Sequence, residues 1–305
     1  MFGDLKIYCA PIQGFTDYVW RNTHNELFNS VDTYYTPFMR VVNNEIPHRD
    51  INDILPSNNI APIRPQVLAC GVEQTVMMVN RLKEYGYQCV DLNMGCPHPP
   101  IAKKKKGSGI LPFPDDCGKL FMELSKIQGV EYSIKMRLGY DSEDQWKKIL
   151  ALFDIIRPTE VVMHPRTGMQ LYGGNVDYAQ FAEFIECCSF PVIYNGDIQD
   201  AAQILWLKER YNNLSGVMVG RQLLCCPNFL EETQSVEQIR HFHDLLYVRY
   251  AEKLTGGDHQ LLNKMKTLWQ YLLPNADRKK RKLIIKSRNL QEYKNAVNQL
   301  FDTFN

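Results

Sequence analysis

Short β-rich runs alternate regularly with longer helix-like stretches across the first two-thirds of the chain, and this pattern limits the folds that it can adopt. The runs mostly begin about 25 to 30 residues apart, which is typical of repeated βα units. Several are continuously apolar, such as Val161-Val162-Met163, as expected for parallel strands covered on both faces. Eight such units favour a closed (β/α)8 TIM barrel, an α/β fold, over an open sheet. The candidate strands are residues 6–10, 32–38, 63–69, 89–93, 132–138, 160–164, 191–195 and 216–219.

Helix-start signals lie between these candidate strands. Asp17 precedes a predicted helix over residues 18–28, and Asp115 precedes one over 117–126. A third predicted helix opens at 142–144 and runs to 156. Segment 9–14, after the first strand, lacks the G-x-G-x-x-G pattern that an open dinucleotide-binding sheet requires.

The last seventy residues differ from the rest in pattern and in charge. Strand signals stop near Val236, and three helical stretches are predicted over 236–254, 259–273 and 278–304. We therefore expect a barrel domain over 1–235 and a small helical bundle over 236–305. The tail carries 13 Lys and Arg against 7 Asp and Glu, whereas residues 1–235 carry 22 against 27. This asymmetry fits a polyanionic partner or, equally well, helices with solvated charged faces.

Composition argues against several classes of protein. No apolar run approaches the ~20 residues that span a bilayer. The first twelve residues lack a basic segment followed by an apolar core, so we expect no secretion signal and a cytoplasmic protein. The nine cysteines show no zinc-ligand spacing, and we expect free thiols and no metal. Nothing in the sequence requires more than a monomer.

Candidate functional residues cluster at the ends of the predicted strands, where barrels of this type build their active sites. A structural barrel has no need for a lysine such as Lys135 inside a strand, because burying a lysine without an anion or acceptor is costly. The candidates are Pro11, Ile12, Gln66, Asn93, Cys96, Lys135, His164, Arg166, Asn195, Gly196, Asp197, Gly220 and Arg221.

The same segments closely resemble the motifs of tRNA-dihydrouridine synthases of the bacterial type. The match begins with Val90-Asp91-Leu92-Asn93-Met94-Gly95-Cys96-Pro97, followed by Ile101 and Gly107-Ser108. It continues through residues 10–17, 135–139, 164–167, 195–197 and 219–221, and a similar segment lies in the tail at 265–272. The resemblance implies an NADPH- or NADH-dependent flavoenzyme that carries FMN and reduces a uridine of tRNA to 5,6-dihydrouridine.

The resemblance implies a set of FMN-binding residues. Lys135 and Gln66 are expected at the pyrimidine edge of the flavin, with His164 completing the set. Gly196, Gly220 and Arg221 follow the last two strands, where barrels commonly hold phosphate. The remaining expected members are Pro11, Ile12, Asn195 and Asp197.

Cys96 is the expected catalytic acid. Saturating uracil requires a hydride at carbon 6 and a proton at carbon 5, and a loop thiol can donate that proton. An ordinary thiol pKa near ~8.5 keeps the group protonated at neutral pH.

Other residues are expected to contact tRNA. Tyr34, Arg40, Arg166 and Asn93 are candidates for holding the target base, which has to leave its stack to reach the barrel. We expect glycines 107 and 109 to let the loop near Cys96 close over substrate. Two basic clusters are candidates for phosphate contacts: Lys103, Lys104, Lys105 and Lys106 in that loop, and Arg278, Lys279, Lys280, Arg281 and Lys282 in the tail.

Two alternatives stay open at this point. An FMN barrel that acts on a small molecule, such as a dihydropyrimidine or dihydroorotate dehydrogenase, explains the cofactor residues but not the basic tail. An RNA-binding barrel without catalysis explains the tail but not Cys96, Lys135 and His164. Segments 35–42 and 266–272 resemble the branch that modifies position sixteen of the D-loop.

Overall fold

The computed structural model describes residues 2–304, and its centre is a barrel of parallel β-strands. Hydrogen-bonded neighbours follow the order β3-β2-β1-β9-β8-β7-β6-β5-β4. Strands β3 and β4 lie at opposite ends of this order, yet they are one predicted strand interrupted at Pro65. Because Met39 also bridges to Val67, the sheet curls into a nearly closed barrel of eight strand positions. The strands are β1 (Lys6–Cys9), β2 (Thr33–Tyr35), β3 (Ile63–Arg64), β4 (Gln66–Leu68), β5 (Cys89–Met94), β6 (Glu131–Gly139), β7 (Val161–Thr167), β8 (Val192–Asn195) and β9 (Leu214–Val219).

Helices connect the strands and cover the barrel. All eight candidate strand positions contain strands, which confirms the α/β TIM-like barrel. The helices are α1 (Tyr18–Phe28), α2 (His48–Ile54), α3 (Val72–Glu84), α4 (Pro99–Ala102), α5 (Pro114–Ser125), α6 (Gln145–Leu150), α7 (Phe153–Ile156), α8 (Tyr178–Cys187), α9 (Ala201–Arg210), α10 (Arg221–Cys225), α11 (Val236–Lys253), α12 (Gly257–Leu268), α13 (Arg278–Lys286) and α14 (Leu290–Phe301).

Two predicted helices are broken in the structure. The stretch expected to end at 156 forms α6 and α7, with residues 151–152 between them. The last tail stretch forms α13 and α14, because the Asn289 side chain accepts a hydrogen bond from the Glu292 N–H and starts a new helix. Helix α1, capped by Asp17, has the predicted bounds.

Strand side chains alternate between the helix layer and the barrel interior. Val90, Leu92 and Ile134 face outward into one large apolar core. A smaller interior cluster, lying inside the barrel, contains Tyr8, Ala10, Tyr35, Val162, Ile193 and Met218. The interior positions of β5 and β6 are polar, as are His164 and Arg166 above Val162 on β7, and these residues determine the chemistry at the top of the barrel.

Helix α11 packs against α1, and α11 and α12 both contact the loop before α1. Trp20 of α1 meets Phe242 of α11 edge to face, with ring centroids 5.9 Å apart. The Asp17 carboxylate accepts hydrogen bonds from the Tyr250 hydroxyl at 2.7 Å and the Lys264 ammonium at 2.6 Å. The Lys264 ammonium also donates to the Gly14 carbonyl at 2.9 Å. The tail therefore fixes the loop that follows β1.

Within residues 2–304, no helix combines the length and the apolar character needed to cross a membrane.

Candidate functional site

A cavity of about 1090 Å³ opens at the carboxyl ends of the strands. Its volume suits a ligand of cofactor size. Nearly every strand contributes a residue or the loop that follows it, so the cavity occupies the usual active-site position of a TIM barrel. Among the predicted residues, the wall contains Pro11, Ile12, Arg40, Asn93, Cys96, Lys135, His164, Asn195, Gly196, Asp197, Gly220 and Arg221.

The loop that carries Cys96 is held by close backbone packing. The Ser108 N–H and hydroxyl both donate to the Cys96 carbonyl, at 3.0 and 2.9 Å. Gly107 has φ of +58°, and a Cβ there would lie 2.8 Å from the Cys96 carbonyl oxygen. At Gly109 a Cβ would lie 2.0 Å from the Ala102 carbonyl oxygen. These glycines therefore permit tight packing behind Cys96.

The Cys96 thiol is partly exposed to the cavity and remains protonated at neutral pH. Burial raises its pKa, and the His98 backbone together with the Arg137 and Lys135 cations opposes this rise. A protonated thiol can donate a proton, which agrees with the role expected of Cys96.

Lys135 reaches the cavity floor from β6. Its ammonium donates to the Asn195 side-chain oxygen at 2.8 Å, and the Asn195 amide donates to the Met218 carbonyl at 2.7 Å. Burial, with help from the nearby Arg137 cation, lowers the pKa of Lys135 to about 8. The side chain is therefore cationic at neutral pH and forms no salt bridge within residues 2–304.

His164 is a neutral imidazole surrounded by cations. Burial and then the Arg137, Lys135 and Arg166 charges hold its pKa well below the usual value. The Arg166 guanidinium lies 3.2 Å from Nε2 of His164. Because arginine only donates, Nε2 is the acceptor and Nδ1 carries the proton.

Asp197 is the acidic residue of the cavity wall among those described, and two arginines bind it. Arg166 and Arg221 each donate to one of its carboxylate oxygens. These arginines lower the pKa of Asp197 against the effect of burial. The wall also contains the cations of Arg40, Lys135, Arg137 and Arg221, so the cavity is electropositive and suited to an anionic ligand.

Besides the two basic clusters, three predicted site residues lie outside the cavity wall. Tyr34 faces the helix layer, fully buried, and its hydroxyl meets Nδ1 of His24 at 2.7 Å, so its prediction as a base contact is wrong. Arg166 is also buried, and its guanidinium donates hydrogen bonds to Asp197, His164 and two loop carbonyls. Gln66 lies in the barrel interior below the floor, with both amide atoms hydrogen-bonded. Arg166 and Gln66 therefore orient wall residues from behind.

The two basic clusters lie outside the cavity wall. In each cluster some side chains bind neighbouring residues of the protein and others are exposed to solvent. Lys105 pairs with Asp116 at 3.6 Å, and Lys106 donates to Gln74 at 2.8 Å. In α13, Lys280 donates to the Gln299 carbonyl, and Arg281 donates to the Trp269 and Pro274 carbonyls. The remaining members are exposed, namely Lys103, Lys104, Arg278, Lys279 and Lys282.

The cavity residues outside the predicted set include Arg137, Tyr172 and Tyr271. Arg137 is almost fully buried, and Tyr172, which is 58% exposed, lies over the guanidinium groups of Arg137 and Arg221 at 5.5 and 4.9 Å. Tyr271 of the tail meets Phe15 edge to face at 4.9 Å. Arg137 carried a signal, since it lies two residues after Lys135 on the same strand face. Tyr172 lies in a loop, and no sequence pattern indicates that it lines the cavity.

No group of three or more His, Cys, Asp or Glu side chains in the described part of the chain is arranged to hold a metal ion. The cavity wall contains a thiol, an imidazole, amides and cations.

Comparison with known proteins identifies the relatives of this chain. The family model described as Dihydrouridine synthase (Dus) matches residues 8–304. The chain is similar to tRNA-dihydrouridine synthase B of Pasteurella multocida, with 27% identity over 227 residues, 73% of this chain and 67% of that protein. It is also 27% identical over 291 residues to "Probable tRNA-dihydrouridine synthase" of Staphylococcus epidermidis, covering 83% of this chain and 88% of that protein.

Among solved structures, morphinone reductase in complex with tetrahydroNAD covers 74% of this chain and 85% of that chain, at 10% identity and a TM-score of 0.48.

Proposed function

Because this chain belongs to the dihydrouridine synthase family, we propose that it reduces a uridine of tRNA, in the D-loop, to 5,6-dihydrouridine. The observation that carries the proposal is the cavity itself. A protonated thiol at Cys96, a cation at Lys135 and a neutral imidazole at His164 line one electropositive space at the barrel mouth.

The cofactor of the proposed reaction is FMN, with NADPH or NADH as the reductant. The charges of the cavity wall fit the phosphate of FMN. The wall contains four cations and one carboxylate, and two arginines already bind that carboxylate. Arg221, with Gly196 and Gly220, would hold the phosphate. Lys135 and Asn195 would meet the polar edge of the ring system. When bound, FMN supplies the hydride that saturates carbon 6 of the uracil ring.

Cys96 completes the reduction by donating its thiol proton to carbon 5. Asn93 accepts from the Cys96 N–H and Ser108 donates to the Cys96 carbonyl, so the backbone that carries the acid is held at the mouth before substrate arrives. His164 stays neutral beside the cations and can donate a hydrogen bond from Nδ1 without adding positive charge. The Cys96 thiolate that remains is reprotonated from water.

Residues 236–305 are proposed to form a helical domain that binds tRNA, with the barrel over 1–235. The exposed side chains of Arg278, Lys279 and Lys282 offer phosphate contacts, and Lys103 and Lys104 offer others on the barrel. Arg40 and Asn93 are the proposed contacts to the target base, since both belong to the cavity wall.

The test is the visible spectrum of the purified protein under anaerobic conditions. We expect a flavin spectrum that bleaches when NADPH is added and returns when tRNA lacking dihydrouridine follows. Bleaching without any response to tRNA would contradict the proposed substrate and favour a small-molecule reductase. Failure to bind added FMN would contradict the proposed enzyme altogether.

A further inference from the structure

A buried carboxylate, Asp91, lies inside the barrel below the cavity. It is fully buried on β5, and it accepts hydrogen bonds from the Gln66 Nε2 and the Ser133 hydroxyl, both at 2.7 Å. Gln66 and Ser133 are its paired positions on the two neighbouring strands. Both partners are neutral donors, and Asp91 forms no salt bridge with any residue in 2–304.

The chain of hydrogen bonds continues upward from Asp91 to the loop of Cys96. The Gln66 Oε1 accepts from the Asn93 Nδ2 at 2.7 Å. The Asn93 Oδ1 accepts from the Gly95 N–H at 3.1 Å and from the Cys96 N–H at 2.8 Å. The carboxylate is thereby linked through two side-chain amides to the backbone of Cys96.

The groups at the two ends of this series of hydrogen bonds determine how its side-chain amides are oriented. A side-chain amide can turn over and exchange its donor for its acceptor, so Gln66 and Asn93 do not fix their own orientation. A carboxylate only accepts, and the backbone N–H of Cys96 only donates. Both ends require the same orientation of Gln66 and of Asn93, and that orientation presents an oxygen to the loop.

We propose that Asp91 is a positioning residue that sets the polarity of the Asp91–Gln66–Asn93 relay and thereby holds the Cys96 loop in place. The role in catalysis rests on the proposed function of Cys96, whereas the relay itself does not. An asparagine at 91 would fill the same space without the cost of a buried charge, so the need for an acceptor-only group accounts for the carboxylate. Burial raises the pKa of Asp91 to about 6, which leaves it ionised at neutral pH.

The first variant to test is Asp91→Asn, measured by amide hydrogen exchange of Gly95 and Cys96 in the purified full-length protein. An asparagine can present its amide to Gln66, so the relay can turn over and present the Asn93 Nδ2 to the loop. We expect these two amides to exchange about tenfold faster, as for the loss of one hydrogen bond. Ser133→Ala is the matched control, because it removes the other donor to Asp91 without changing the relay, and it should leave both rates unchanged.

The decisive variant carries Asp91→Asn and Asn93→Asp together. It moves the carboxylate from position 91 to position 93, next to the Cys96 loop. Gln66 can then turn over, so that it accepts from the new amide at position 91 and donates to the new carboxylate at position 93, and every donor again meets an acceptor. We expect Asn93→Asp alone to exchange as fast as Asp91→Asn, and the double variant to regain the wild-type rate at Gly95 and Cys96. If Asp91→Asn does not fold, the comparison is made between Asn93→Asp and the double variant.

Two results would overturn the proposal. One is an unchanged exchange rate in Asp91→Asn, or a double variant no slower than the single ones. The other is faster exchange spread evenly through β6 and β7, which indicates a general structural role. Exchange is measured without RNA or reductant, so a failure of the proposed reaction leaves this test unaffected.

Discussion

The two ends of the barrel interior both contain buried charges, but they satisfy them differently. At the amino end of the strands, the Glu160 carboxylate accepts from the Tyr8 hydroxyl at 2.8 Å, the Tyr35 hydroxyl at 2.5 Å and Arg64 at 2.7 Å. At the carboxyl end, Lys135 has an amide oxygen as its acceptor, and the cations around it outnumber the carboxylates.

This difference indicates that the charges at the amino end stabilise the barrel, whereas those at the carboxyl end are arranged for a ligand. A buried charge that is paired and fully hydrogen-bonded holds strands together and offers little to a ligand. A buried cation without a counter-ion is unfavourable until an anion arrives, so the carboxyl end is prepared for a ligand. The comparison predicts that changes at the two ends affect different measurements.

The largest expected effect is on turnover when the acid is removed from the carboxyl end. Cys96→Ala should keep its flavin and its reduction by NADPH, because the thiol does not contribute to either. The return of the flavin spectrum with tRNA should slow by about 10²- to 10⁴-fold, the usual contribution of a positioned acid. Cys187→Ala, at an exposed thiol, is the control and should match the wild type. Loss of flavin from Cys96→Ala would assign Cys96 to cofactor binding instead.

The next largest effect is on stability at the amino end. Glu160→Gln keeps the volume but leaves Arg64 without its counter-charge, so the free energy of unfolding should fall by about 3 kcal/mol. Urea denaturation measures this loss. The exposed pair of Glu123 and Lys126 is the control, where Glu123→Gln should cost less than about 0.5 kcal/mol. A Glu160→Gln protein that is stable but inactive would show that the amino end serves the reaction.

A pH effect is expected at the carboxyl end from Lys135. The pKa of this lysine is lowered to about 8, so its cation is present below that pH and is lost as the pH rises through it. Affinity for FMN should therefore weaken by up to about tenfold per pH unit above pH 8. Binding is measured by flavin fluorescence between pH 7 and 9.5. Lys135→Arg, which keeps its charge, should remove this dependence, and an equal dependence in both proteins would contradict the role of Lys135.

The smallest expected effect is on tRNA binding by the basic residues of α13 in the tail. Replacing the exposed Arg278, Lys279 and Lys282 with alanine should weaken tRNA binding and reduce the slope of log affinity against log salt by roughly 2, as for two or three lost phosphate contacts. Replacing Lys280 and Arg281, which bond to carbonyls, should instead lower stability. An unchanged salt slope in the first variant would mean that this face does not bind RNA.

The barrel was predictable from the sequence because its strands are short, apolar and evenly spaced. The strand-end motifs also led correctly to the cavity, since parallel strands bring their carboxyl ends together. Tyr34 was assigned wrongly because it is followed by a second aromatic, Tyr35, and the sequence did not reveal which of the two faces the interior. The break before α14 carried a signal, an N-cap asparagine at 289, but no glycine or proline.

The remaining site features depend on tertiary contacts that no local pattern encodes. Whether Arg166 contacts a ligand or a neighbour depends on Asp197, which lies on the next strand's loop. The relay from Asp91 depends on the register of three strands, which sequence spacing does not determine. The place of Tyr172 over two arginines depends on the path of a glycine-rich loop.

Analysis of the RNA product tests the proposed reaction. Transfer RNA without dihydrouridine is incubated with the purified protein, FMN and NADPH, then digested and analysed by mass spectrometry. We expect dihydrouridine at a single D-loop position with the wild type, and none above background with Cys96→Ala. Uridine that stays unreduced by a flavin-loaded wild-type protein would contradict the proposed reaction.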